Sequence, residues 1–142
     1  MAIGVGCPFC MIDSGRVVVR GTHAFAIRAE DGPEGSAMVL PVAHRSSPFE
    51  FTPAEWRETI TILAATRDLL SAEEAIGGWN IGWNVGRVAG QSVEHAHCHL
   101  IPRRDGEPMA EFGLRWWLHP SVYPEVAGHG FTKPVWSGAA NP

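Results

Sequence analysis

Three histidines at alternate positions, His95, His97 and His99, form the densest concentration of chemistry in this chain of 142 residues. Ala96, Cys98 and Leu100 fill the gaps between them, and Val93 and Ile101 flank the run. Strict alternation is the period of a β-strand, in which residues i, i+2 and i+4 share a face. One face would then carry a row of imidazoles and the other the small and apolar side chains of a core. A single histidine on an apolar strand is ordinarily a core residue with a satisfied ring. Three of the chain's seven histidines on one face each need polar company when buried, which points to a site. Reach argues against one metal ion held by all three. At about 3.3 Å per residue His95 and His99 lie roughly 13 Å apart at the backbone, whereas zinc wants every nitrogen within about 2.1 Å. The row suits an extended anion, with one ring as nucleophile and another as proton donor, and phosphate chemistry fits that description.

The second group is Cys7-Pro8-Phe9-Cys10. A Cys-x-x-Cys is compatible with zinc, with a redox dithiol, or with two small buried residues. A redox pair should follow a strand and open a long helix. Here the pair begins the chain and runs into the turn Asp13-Ser14-Gly15, which disfavours redox. Zinc needs two more ligands.

These groups need a scaffold. Arg16–Arg20 and His23–Arg28 read as strands joined at Gly21-Thr22, and Ser36–Pro41 reads as a third strand that Pro41 ends. Residues 29–35 form a loop by composition, and His44 follows the third strand closely. Thr52-Pro53-Ala54-Glu55 has the grammar of a helix start: an N-cap, a proline at the first position and the glutamate of a capping box. Trp56, Ile60, Leu63 and Leu70 then recur near the helical period through Ser71, which predicts the face that covers a sheet. After Gly77-Gly78, Trp79–Gly86 alternates as a strand and Gly86–Gly90 turns it into the histidine strand. That pairing sets Asn84 beside the histidines. Arg103–Gly106 ends the sheet, and residues 112–120 are aromatic and basic. The tail from Ser121 has no periodicity and reads as an irregular arm of the kind that lies across a partner subunit.

The composition is that of one soluble domain, 45% hydrophobic and 18% charged. A net charge of −4 provides no basic footprint for a nucleic-acid polymer, so a nucleotide would be held locally by imidazoles and backbone N–H groups. Met1–Gly6 shows no signal-peptide pattern, and no apolar run approaches the ~20 residues of a membrane span. Three cysteines make no disulfide framework. A cytoplasmic protein with no membrane partner is expected.

Gly90-Gln91-Ser92-Val93-x-His95-x-His97-x-His99-Leu100-Ile101-Pro102-Arg103 resembles the signature of the histidine-triad (HIT) family. The likeness extends to Ala24–Arg28, Val39-Leu40-Pro41-x-x-His44, Phe51–Trp56, Asn80–Gly86 and Arg115-Trp116, in the family's order, over roughly residues 7–118. The resemblance implies one α+β domain spanning 1–142, with a core at about 7–118 and the irregular arm at 121–142. Its fold would be an antiparallel sheet of about five strands crossed by one long helix, assembled as a homodimer.

The same resemblance implies an enzyme, a hydrolase or nucleotidyltransferase. Such an enzyme would cleave a nucleoside phosphoramidate, dinucleoside polyphosphate or related nucleotide at the α-phosphate through a nucleotidyl-histidine. His97 would be the nucleophile and His99 its phosphate-side partner, with Asn84, Gln91, Ser92, Phe25 and Ile27 at the substrate. One branch of the family places a structural zinc on residues that correspond here to Cys7, Cys10, His44 and His95. Cys98 would be inert core. The chain departs from its relatives after Arg28, where Ala29 stands in place of an acidic residue assigned to the ribose, leaving Glu30 or Asp31 to substitute. Two other readings compete: a nucleotide-binding regulatory protein with little turnover, and a metallohydrolase with zinc among the three histidines. The leaving-group side falls on the segment holding Trp116, Trp117 and His119, which serve either the site or a dimer.

Overall fold

A computed structural model describes residues 6–114. Five strands and one long helix occur in the order β1 (Val17–Arg20), β2 (Ala24–Arg28), β3 (Ala37–Pro41), α1 (Pro53–Glu73), β4 (Gly78–Trp83) and β5 (Cys98–Arg103). The sheet order is β1-β2-β3-β5-β4, and every neighbouring pair is antiparallel. The expected α+β architecture is present. The expected C-terminal arm, with Trp116, Trp117 and His119, lies outside the described residues.

The two faces of the sheet have different work. Ala24, Ala26, Ala37, Val39, Cys98 and Leu100 face α1 and pack with Ile62, Leu63 and Leu70. Small side chains on the sheet let the helix approach closely. The opposite face carries Phe25, Ile27, Met38 and Leu40, packed with Phe9 and Ile12 of the N-terminal segment and with Val17 of β1. In the register Met38↔His99 and Gly82↔His99, residue 99 belongs to this second face. The helix supports the sheet from behind, and the histidines lie in front.

Helix α1 starts as its sequence dictates. The Thr52 side chain accepts from the Glu55 N–H at 3.2 Å, and Glu55 accepts from the Thr52 N–H at 2.7 Å. Its buried stripe differs from the expected one. Glu55, Thr59, Ile62, Leu63, Thr66 and Leu70 face the sheet, while Trp56 and Ile60 are 37% and 59% exposed. Two stripes of similar period were available, and tertiary contacts choose between them. Burying Glu55 is possible because its carboxylate is already satisfied by the cap and by Arg45. Trp56 instead turns toward Phe51 and the end of β4, with its ring 5.7 Å from that of Trp83.

One helix side chain also organises the hairpin between β1 and β2. The Glu58 carboxylate accepts from the backbone N–H groups of Thr22, His23 and Ala24. A Cβ on Gly21 would fall 2.6 Å from the Glu58 carboxyl carbon, so a larger residue there would push this carboxylate from its place. Burial opposes the Glu58 charge, but the N–H donors outweigh it and hold the carboxyl below its ordinary value.

Candidate metal centre and active site

The ladder between β3 and β5 stops after Val39↔Cys98. The Val42 N–H bonds back to His23 O on the β2 side at 2.8 Å, so the residue before it faces β5. That residue is Pro41, which has no N–H to give. The Pro41 carbonyl is taken instead by His95 Nε2 at 3.0 Å. Further on, the Ala96 N–H finds the Arg45 carbonyl at 2.6 Å. The histidine run is therefore not one strand, as its alternation predicts. Of its histidines only His99 lies within β5, and His95 and His97 sit in the segment that leads into it. His95 is completely buried, His97 is 4% exposed and His99 is partly open.

Because His95 Nε2 faces a carbonyl it must carry the proton, and Nδ1 is left with its lone pair. That nitrogen lies 3.5 Å from both Cys7 Sγ and Cys10 Sγ, and His44 Nδ1 lies 3.3 Å from Cys10 Sγ. The ligand atoms of Cys7, Cys10, His44 and His95 all fall within 4.8 Å of one another. Tetrahedral zinc with ordinary Zn–S and Zn–N bonds sets sulfur and nitrogen about 3.6 Å apart. The donor set and its spacing thus fit zinc, and with four protein ligands the site is closed, as structural sites are. Burial holds His95 below the ordinary histidine value, against the pull of the Pro41 hydrogen bond, and so favours the neutral ring a metal requires.

His97 is set differently. Its Nδ1 donates to the His95 carbonyl at 2.7 Å, leaving the Nε2 lone pair free. The ring is held edge-on between Phe9, 5.2 Å away, and His99, 4.9 Å away. His99 Nε2 is buried and has no hydrogen-bond partner among the described residues. Burial keeps His99 below the ordinary histidine value; His97 adds to that and Asp31 opposes it. Of the two acidic candidates beyond Ala29, Asp31 is thus the one felt at the histidines, while Glu30 pairs with Arg16 at 2.9 Å. Cys98 faces the helix, and burial pushes its thiol up to about 12, which makes it inert as expected.

The other predicted site residues are brought to the same end of the sheet with different duties. Asn84, just beyond β4, sits against Gly90, whose φ of +94° suits glycine. Ser92 is exposed on the following turn. Gln91 is committed to the backbone: its Oε1 accepts from the Gly86 N–H at 2.7 Å, and its Nε2 donates to Ser46 O and Val93 O. It builds the loop that presents Ser92. Phe25 is 7% exposed and Ile27 has no exposed surface, and both belong to the core cluster with Met38 and Leu40. Sequence reasoning missed Phe9 and Arg45. Each neighbours a metal-site residue, Cys10 and His44 respectively, and that adjacency was the available signal.

Zinc should copurify with the chain, and Cys10→Ser should lower both the bound zinc and the melting temperature, the latter by at least about 5 °C. Metal analysis with thermal unfolding checks this. Unchanged zinc content and melting in Cys10→Ser would sink the assignment.

The HIT domain model matches residues 15–106. An uncharacterized HIT-like protein of Methanocaldococcus jannaschii is 34% identical over 115 residues, covering 75% of this chain and 87% of that protein. A Schizosaccharomyces pombe protein named adenosine 5′-monophosphoramidase is 26% identical over 133 residues, covering 89% and 94%. The solved structure of a zinc-bound histidine triad family protein from Mycobacterium smegmatis superposes with a TM-score of 0.59 at 28% identity, over 75% of this chain and 81% of that one. The chain belongs to the HIT domain family.

Proposed function

We propose that this protein is a nucleotide hydrolase or nucleotidyltransferase working through a covalent nucleotidyl-His97. The carrying observation is the 2.7 Å bond from His97 Nδ1 to the His95 carbonyl, which fixes the tautomer and leaves Nε2 as nucleophile beside the unpartnered Nε2 of His99. The reading is further supported by family membership and by the name of the yeast relative. The substrates are nucleoside phosphoramidates, dinucleoside polyphosphates or related nucleotides. In the first step the His97 Nε2 lone pair forms a bond to the α-phosphorus while the bond to the leaving nitrogen or oxygen breaks. The leaving atom takes that electron pair and a proton from solvent water, with His99 hydrogen-bonded to the phosphate side. The positive charge that grows on the His97 ring is met by the His95 carbonyl. Water or another nucleophile then attacks phosphorus, the P–N bond breaks and His97 is restored. Ser92, Asn84 and the loop that Gln91 shapes supply donors to the phosphate oxygens.

The metal group has no place in these steps. A zinc held by Cys7, Cys10, His44 and His95 supplies a fixed anchor, and it ties the N-terminal segment to the residue whose carbonyl holds His97.

The working unit is a cytoplasmic homodimer that binds a nucleotide or nucleotide conjugate. Among the described residues strand β4 is an unpaired edge of the sheet. On it Ile81 is 46% exposed, Ile60 on α1 is 59% exposed, and the buried Trp83 indole N–H has no acceptor among the described residues. Light scattering should give the mass of a dimer that Ile81→Lys reduces to a monomer; a monomeric parent chain contradicts the assembly.

For the chemistry, His97→Ala should lower hydrolysis of adenosine 5′-phosphoramidate by at least about a thousandfold. His99→Ala should cost about a hundredfold or more. A panel of phosphoramidates, diadenosine polyphosphates and nucleotidyl sugars, run on the parent chain and both variants, measures this. Full activity in His97→Ala would remove the mechanism.

A further inference from the structure

The peptide group joining His95 to Ala96 is held at both ends. Its C=O accepts from His97 Nδ1 at 2.7 Å, and its N–H donates to the Arg45 carbonyl at 2.6 Å. The plane of this one peptide therefore sets the direction of the bond that orients the His97 ring. A peptide whose N–H is engaged is also a better acceptor at its oxygen, because hydrogen bonds in series polarise one another. The position of the Arg45 carbonyl thus governs the nucleophile.

Arg45 is itself clamped. Its Nε lies 3.2 and 3.3 Å from the Glu55 carboxylate oxygens, and its Nη2 lies 3.1 Å from Oε1. The Glu55 side chain is 5% exposed and that of Arg45 32%. The same carboxylate accepts from the Thr52 N–H at the start of α1. The fork geometry of guanidinium on carboxylate fixes both distance and plane. A buried pair of this kind adds little net stability over an apolar replacement. Its distinguishing property is fixed geometry, here delivered to the chain segment that carries His44 and meets Ala96.

We infer that Glu55 and Arg45 are positioning residues for the His97 nucleophile, acting through the Arg45 carbonyl and the His95–Ala96 peptide. The inference rests on the His97 mechanism above for its kinetic consequence, though not for its geometry. In this arrangement the first turn of α1 is the reference point against which the reacting ring is aimed. The capping box thereby does two things: Thr52 serves the helix, and Glu55 serves the helix and the site.

The test compares Glu55→Gln and Arg45→Met with Thr52→Ala, which removes the hydroxyl half of the cap and leaves the Arg45 clamp in place. Each zinc-loaded variant is assayed with adenosine 5′-phosphoramidate, melted, and examined by NMR for the slowly exchanging His97 Nδ1 proton. That resonance is assigned by its absence in His97→Ala. In Glu55→Gln and Arg45→Met we expect kcat to fall about tenfold or more with KM changed less than about twofold, and the Nδ1 proton signal to broaden or vanish. Thr52→Ala should lower the melting temperature while keeping kcat and the signal. The inference is overturned if Glu55→Gln and Arg45→Met keep the Nδ1 signal, whatever their stability or turnover. It is equally overturned if Thr52→Ala loses that signal to the same extent. Should the parent chain show no turnover at all, the hydrolase reading fails while the NMR comparison still decides the positioning role.

Discussion

A missing hydrogen-bond donor shapes this site. Pro41 ends β3 at the point where the ladder to β5 would have continued, and it has no N–H to extend it. The backbone around His95, His97 and Ala96 is released from strand pairing and must find other partners, since buried polar groups left unpaired cost about 1–3 kcal/mol each. Those partners are the ones that matter chemically: Pro41 O for His95, Arg45 O for Ala96, and His95 O for His97. Had the ladder run on, the His95 and Ala96 backbone groups would be committed to a neighbouring strand.

The consequence is three histidines made unequal by their surroundings. His95 is turned by a carbonyl so that its free nitrogen meets two thiols, and it joins a closed quartet with Cys7, Cys10 and His44. His97 is held by the opposite nitrogen and offers Nε2. His99, the one within β5, keeps a buried nitrogen without a partner among the described residues. An unsatisfied buried donor or acceptor ordinarily destabilises. At His99 that nitrogen lies beside the His97 ring, whose centroid is 4.9 Å from its own. The metal quartet and the Glu55–Arg45 pair grip the same short segment from two sides, one through His44 and one through Arg45. Phe9, carried between the two cysteines, lies edge-on to the rings of both His95 and His97. The metal loop and the His97 ring are packed as one unit.

Local chemistry was legible in the sequence wherever it was carried by neighbours in the chain. The Thr52 cap, the small residues on the helix face of the sheet and the alternation of His99, Leu100 and Ile101 all follow from short-range pattern, and all are present. The Cys-x-x-Cys was a local signal for half of the metal quartet, and the family resemblance carried the other half, His44 and His95. What failed were the features decided at long range. The histidine strand begins at Cys98, later than its alternation implies, because a proline 54 residues before His95 withholds a donor. Ile60 faces outward and Trp56 turns aside to Phe51 and Trp83, while Glu55, paired with Arg45, takes the buried face. Periodicity sees apolar side chains but not the partners that let a charged one go inside.

The central claim is that His97 Nε2 becomes bonded to phosphorus. Adenosine 5′-phosphoramidate mixed with the protein and quenched within the first turnovers in alkaline denaturant, where a histidine–phosphorus bond survives, gives the direct test by intact mass and peptide mapping. The account predicts a nucleotidyl group on the peptide bearing His97, absent from His97→Ala. Turnover that proceeds with no adduct, or with an adduct on another residue, would contradict it.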